Sequence, residues 1–154
     1  MPLHQAYARA MRTWANWVEK TVDPKKTTVF FRSISAEHIS LFYNQWCYDR
    51  TQPMFDVESY KPPTPKILTK VIERVIKGMK KIKVTYLNIT RLSEYRIDAH
   101  PSIYRVKEWK LYSQINKHNL TLWADCGHWC LPGVPDTWNR LLYASLYFNT
   151  STNR

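Results

Sequence analysis

With 154 residues, 44% of them apolar and seven of them tryptophan, the chain is sized for one packed domain and falls outside the disordered classes. No run approaches the ~18 apolar residues of a membrane span, and residues 1–11 carry no apolar stretch of the kind a signal peptide needs. The net charge of +11 is spread along the chain, with one concentration at Lys77, Lys80, Lys81 and Lys83. No recognition helix, RNA-binding signature or zinc-finger spacing accompanies it. It reads as a solvated face, and nucleic acid is not expected as a partner.

Leu3, Tyr7, Ala10, Met11, Trp14, Trp17 and Val18 recur at helical spacing and predict a first helix ending near Val22, where Asp23-Pro24 breaks it. Residues 27–34 are β-branched and aromatic around Val29-Phe30-Phe31 and predict a buried strand. Residues 35–64, with Asn44, Pro53, Pro62 and Pro63, hold no steady period; a loop of that length inside a domain is usually functional. Pro65 suits the start of a second helix, with Ile67, Val71 and Val75 in one row, Leu68, Ile72 and Ile76 beside it, and Lys70, Glu73, Arg74 and Lys77 opposite. Gly78 is expected to end it in a left-handed conformation. Residues 81–89 predict a second strand, 90–119 mostly irregular chain, and 120–123 a short extended piece. Pro135-Asp136 opens a last helix, with Asp136 as N-cap and Trp138, Leu141, Leu142 and Leu146 inward. Helices alternating with strands point to an α/β fold with a parallel sheet. Two strands are few for such a sheet. The three glycines, Gly78, Gly127 and Gly133, exclude a P-loop and a dinucleotide fingerprint.

The chemistry concentrates between residues 121 and 138. Asp125 and His128, three apart in a turn, allow the carboxylate to reach Nδ1 of the imidazole. That fixes the tautomer and favours the cation formed when Nε2 takes a proton. The plain alternative is a turn in which Asp125 caps backbone donors. Cys126, His128 and Cys130 as zinc ligands are a weaker reading, because alternate positions in one tight turn are unlike paired-knuckle spacing. Disulfide bonding that pins the turn is the more ordinary use of Cys126 and Cys130, and with Cys47 the count of three leaves one thiol over. Sequons stand at Asn88, Asn119 and Asn149 and mark candidate glycosylation sites.

Asp-Cys-Gly-His-Trp-Cys-Leu-Pro-Gly-Val-Pro-Asp-Thr-Trp-Asn, residues 125–139, resembles the C-terminal signature of the trichome birefringence-like family of plant polysaccharide O-acetyltransferases. Residues 12–18 and 22–35 resemble its helix–strand block, and residues 87–96 and 98–104 its next block. The resemblance implies the C-terminal part of a single catalytic domain of the PC-esterase type, a three-layer SGNH/GDSL-like fold with a parallel sheet and its N-terminal half missing. It implies a Ser-His-Asp mechanism with His128 and Asp125 in the second motif. The serine belongs to a Gly-Asp-Ser motif that this sequence lacks. It further implies transfer of acetyl groups to xylan, mannan, xyloglucan or pectin in the Golgi lumen, with the family's membrane anchor absent from this chain. No bound cofactor is expected; an acetyl donor is needed, with acetyl-CoA a candidate. The chain alone is then expected to be inactive. A non-catalytic carbohydrate-binding fragment and a polysaccharide acetyl esterase are the alternatives. Arg32 and His38, following the first strand, and Trp129 are candidate substrate contacts, with Trp138 and Tyr104 as further aromatic platforms.

Overall fold

The computed structural model describes residues 1–40, 45–61, 66–105 and 124–151. The predicted extended piece at 120–123, the role given to Pro65 and the sequon at Asn119 lie outside these residues. The chain divides into two compact units, Met1–Ile34 with Thr64–Ile89, and Ser35–Pro63 with Thr90–Arg154. No helix among the described residues is long and apolar enough to cross a membrane.

In the first unit α1 runs over Leu3–Thr21 and buries Met11, Ala15 and Val18. That i, i+4, i+7 row is narrower than the expected face, and Trp17 stays in solvent. The Asp23 side chain accepts from the amide of Lys25 at 3.0 Å, and its carbonyl takes the amides of Lys26 and Thr27, so Asp23-Pro24 turns the chain as expected. β1, Val29–Arg32, follows. After α2, Ile67–Gly78, β4 at Val84–Leu87 pairs parallel with β1, in the register Val29↔Val84 to Arg32↔Leu87. α2 packs on α1 and buries Leu68 and Ile72. The Trp14 ring meets Phe31 edge-on at 5.0 Å, and Phe31 faces Tyr86 across the strand pair at 6.3 Å. Beyond the last rung, Ser33 donates its amide to the Leu87 carbonyl and its hydroxyl oxygen accepts from Ile89, both within 3.0 Å. Gly78 departs from expectation. It is the last helical residue, no glycine has positive φ, and the chain leaves through an extended Met79.

Among its described residues the second unit has shorter strands and one long helix. β2, Ile39–Ser40, pairs antiparallel with β3, Gln45–Trp46, inside the stretch read as featureless. The short helix α3, Thr90–Glu94, and a 3-10 turn at Ile103–Arg105 interrupt what was read as irregular chain. Cys47, Ile97 and Cys126 form a small core, with Trp46, Met54 and Ala124 packed against it. The last helix, α4, spans Val134–Ser151. Its start corrects the expected cap: Asp136 lies inside the first turn, and its carboxylate reaches back to accept the Gly133 amide at 2.6 Å. An acidic side chain at the third helical position closes the turn in this way. Trp138 and Leu142 are half-buried, whereas Leu141 and Leu146 are exposed.

Candidate active site

The turn carrying the ionisable pair is built between two strips of chain. After α3, successive turns close through Arg96 to Ser93 and Ala99 to Arg96, at 3.0 and 3.1 Å. They present residues 99–102 to residues 125–130. Ser102 and Asp125 exchange both backbone hydrogen bonds at 3.0 Å, and the Cys130 amide donates to the Ala99 carbonyl at 3.1 Å. The Cys126 carbonyl accepts from His38, and the Cys126 sulfur is bonded to Cys47. Of the disulfide candidates, Cys47 and Cys126 therefore pair, and Cys130 keeps a free, exposed thiol. Burial, and then the Asp125 carboxylate, push that thiol's pKa up. Because Cys126 is consumed in the disulfide, it cannot serve as a thiolate ligand. Among the described residues no cluster of three ligand-type side chains exists.

Inside the turn, Asp125 Oδ1 accepts from the amides of Gly127 and His128 at 3.2 and 3.0 Å. Nδ1 of His128 lies 3.1 and 3.0 Å from the two carboxylate oxygens. The carboxylate both caps the turn and orients the imidazole, so the two sequence readings of Asp125 are compatible. Burial raises the Asp125 pKa, but the hydrogen bonds from His128 and Gly127 outweigh it and hold the carboxyl below its ordinary value. An ionised Asp125 fixes a proton on Nδ1 of His128 and leaves Nε2 as the basic nitrogen. The His128 side chain is 85% exposed while that of Asp125 is 15% exposed. Nε2 has no hydrogen-bond partner among the described residues.

Gly133 is the one glycine that sterics require. A Cβ there would lie 2.8 Å from the Cys130 carbonyl oxygen, whereas Gly127 has open space around it.

Behind the turn sits a group the sequence did not announce as a unit. His38 is fully buried; its Nε2 lies 2.9 Å from the Glu94 carbonyl and its Nδ1 2.8 Å from Nε2 of His100. Nδ1 of His100 reaches the carbonyl of His128 at 2.5 Å. The Trp129 ring lies over His100 with centroids 4.2 Å apart, and Trp138 meets Trp129 edge-on at 5.8 Å. Tyr60 packs beside His38 and donates its hydroxyl to the Glu37 carbonyl. Burial, the leading cause in both, lowers the pKa of His100 and brings His38 down to about 4.

The candidate substrate contacts thus separate. His38 is enclosed with both ring nitrogens engaged, an arrangement that holds structure and leaves it no face for a sugar. Trp129 is half-buried and spends its ring on His100 and Trp138. Arg32 is an exposed side chain at the carboxyl end of β1 in the first unit. Tyr104 is exposed, and so is Asn88, whereas the side chain of Asn149 lies outside the described residues. In the sequence His100 stands out only as part of the 98–104 motif. Its one available signal was a histidine followed by proline next to Asp98, which Arg96 grips through two hydrogen bonds of 2.9 and 3.3 Å.

The second unit thus holds a carboxylate seated on an exposed imidazole in a pinned turn, and the first a parallel strand pair with two helices. The chain belongs to the PC-Esterase family, the GDSL/SGNH-like acyl-esterase family found in Pmr5 and Cas1p, whose model matches residues 1–145. It is 48% identical over 151 residues to "Protein trichome birefringence-like 1" of Arabidopsis thaliana, covering 95% of this chain and 26% of that protein. It is 48% identical over 147 residues to "Protein trichome birefringence" of the same plant, covering 92% and 23%. With "Xylan O-acetyltransferase 3" of Oryza sativa subsp. japonica the identity is 38% over 162 residues, covering 98% and 34%. The chain therefore spans about a quarter to a third of the length of these curated relatives.

Proposed function

We propose that this chain supplies the base and its orienting carboxylate to an O-acetyltransferase acting on cell-wall polysaccharide. The observation that carries the reading is the seating of His128 Nδ1 on the Asp125 carboxylate, with the rest of the imidazole in solvent. The relatives named as xylan O-acetyltransferases support xylan as the first acceptor to try. Mannan, xyloglucan and pectin belong to the same acceptor class.

The chemistry runs in two transfers. Nε2 of His128 takes the proton of a serine hydroxyl as that oxygen bonds to the acetyl carbonyl carbon of a donor. The donor's leaving group departs with the proton. Nε2 then takes the proton of a sugar hydroxyl as that oxygen attacks the acetyl-serine. The serine oxygen leaves and recovers the proton. Asp125 holds Nδ1 throughout and stabilises the imidazolium. The serine comes from a Gly-Asp-Ser segment outside these 154 residues, so the chain by itself transfers nothing. Acetyl-CoA is the donor to test first, and the Golgi lumen is the compartment this activity fits. The family's own description as acyl-esterases supports a second reading, in which water replaces the sugar and the same steps remove acetyl groups.

The test is acetyl transfer to de-acetylated xylan, mannan, xyloglucan and pectin oligomers by the protein carrying this chain, with His128→Ala alongside. Acetylated oligomer is expected from the parent and almost none from the variant, at unchanged circular dichroism. Near-normal transfer by folded His128→Ala overturns the assignment. Release of acetate from acetylated oligomers without transfer selects the esterase. Turnover by the 154 residues alone removes the external serine.

A further inference from the structure

His38 and His100 have no part in the chemistry above, yet they end on the residue that performs it. Their contacts form a chain: the Glu94 carbonyl, the His38 ring, the His100 ring and the His128 carbonyl, with the two rings 2.8 Å apart, Nδ1 to Nε2. Carbonyl oxygens only accept, so each terminal nitrogen needs a hydrogen. The nitrogen–nitrogen contact needs a third, and two neutral imidazoles carry only two. The pair either shares one extra proton or leaves one contact unmade. The carboxylates of Asp98 and Asp125 favour the extra proton, as does the Trp129 ring over His100, but burial is the larger influence on both rings and keeps it off, so each ring gives its one hydrogen to a carbonyl. The other ionisable neighbours are bound elsewhere: Tyr60 to the Glu37 carbonyl, Glu94 to Arg91, and Arg96 to Asp98.

The His128 side chain has almost no packing to hold it. Its backbone is gripped at both polar groups: the amide by Asp125 and the carbonyl by His100. That leaves two side-chain torsions, which the Asp125 carboxylate sets through Nδ1. We propose that His100, backed by His38, is a positioning residue that clamps the carbonyl of His128 and so keeps the imidazole on Asp125. The consequence for transfer rests on the function proposed above; the clamp itself does not.

The test compares three substitutions at His100 in the protein carrying this chain. His100→Asn keeps an N–H close to where Nδ1 sits and keeps the bond to the His128 carbonyl. His100→Gln places its amide towards His38 and releases the turn. His100→Phe keeps the ring against Trp129 and loses both bonds. For Gln and Phe, kcat falls by about ten- to a hundredfold, the scale of a small misplacement of a catalytic group, with KM unchanged. His100→Asn recovers most of the loss. Amide hydrogen exchange at Gly127 and His128 reports the clamp without any activity: it rises in His100→Gln and His100→Phe and stays near parental in His100→Asn. A parent without transfer but with this exchange pattern sinks the functional reading and keeps the clamp. The clamp is overturned if folded His100→Phe has parental exchange at these two amides. It is equally overturned if all three variants lose activity only in proportion to lost folded material.

Discussion

The two units of this chain are held by different forces. The first is a layered object, in which two amphipathic helices and a strand pair bury side chains chosen by periodicity, such as Met11, Val18, Leu68 and Ile72. The second relies on individually specified bonds: a disulfide, a backbone bridge at Ser102 and Asp125, and two buried histidines. Apolar burial is non-directional and tolerates exchange of like for like. A buried polar group tolerates little, because an unmet donor or acceptor costs its full desolvation. The tolerant unit is built by burial, and the exacting unit carries the turn with Asp125 and His128.

The difference can be broken most forcefully at Asp125. Asp125→Asn keeps the size of the side chain and removes its charge, so His128 samples the wrong tautomer. Transfer by the protein carrying this chain should fall by up to ~10⁴, the scale of the same change in a serine-protease triad. The measurement is kcat on oligomers with the melting curve alongside, and a loss under tenfold would leave Asp125 as a turn cap alone. Next in size, Cys47→Ser opens a closed loop of 79 residues, which chain-entropy reasoning values at about 4.5 kcal/mol. Cys130→Ser breaks no bond and should shift the denaturation midpoint little. Equal shifts would mean that the disulfide contributes nothing to the second unit. In the first unit, Ile72→Ala should cost about 2–5 kcal/mol through lost burial and a cavity, whereas Ile72→Leu should cost less than about 1.5 kcal/mol. Denaturant midpoints of the pair test the tolerance claimed for that unit.

The mildest probe is acid. His38 ordinarily titrates near 6.5 and is held down to about 4 by burial, so between these values the unfolded chain binds a proton that the folded chain refuses. Stability from this group is therefore present above pH 6.5 and is lost progressively as pH falls towards about 4. Asp125, with its pKa also lowered, adds to the loss only below the ordinary carboxylate range. Amide exchange at pH 7 and pH 5 should show protection fading in the second unit while that of α1 and α2 is kept. Uniform fading would show that the two units respond to acid alike.

What the sequence disclosed follows the same division. Helical periodicity placed α1 and α2 within a few residues, and the β-branched runs placed β1 and β4, because burial repeats along these elements and leaves a pattern. The pairing of Asp125 with His128 is legible because carboxylate and imidazole lie three residues apart. His100 was not, since its partners His38 and His128 are distant in sequence and a buried imidazole pair has no period. Asp136 sits a few residues from its expected place: Asp is a strong N-cap, but Gly133 precedes the first helical residue and Asp136 serves it from inside the helix. A left-handed Gly78 is the frequent way to end a helix, and the extended Met79 makes it unnecessary here.

The Cys47–Cys126 bond also sets an order of events during synthesis. Cys47 emerges from the ribosome 79 residues ahead of its partner. When Cys126 arrives, Cys130 follows almost at once, a competitor on the same short segment. A Cys47–Cys130 bridge would drag the turn out of register with Ala99 and Ser102, and correcting it requires one thiol–disulfide exchange. In the finished fold the reverse error is discouraged: burial and the nearby Asp125 carboxylate keep Cys130 protonated, and a protonated thiol is a poor attacker of the neighbouring bridge. The carboxylate that holds Nδ1 of His128 thus also helps guard the covalent link that keeps the turn in place.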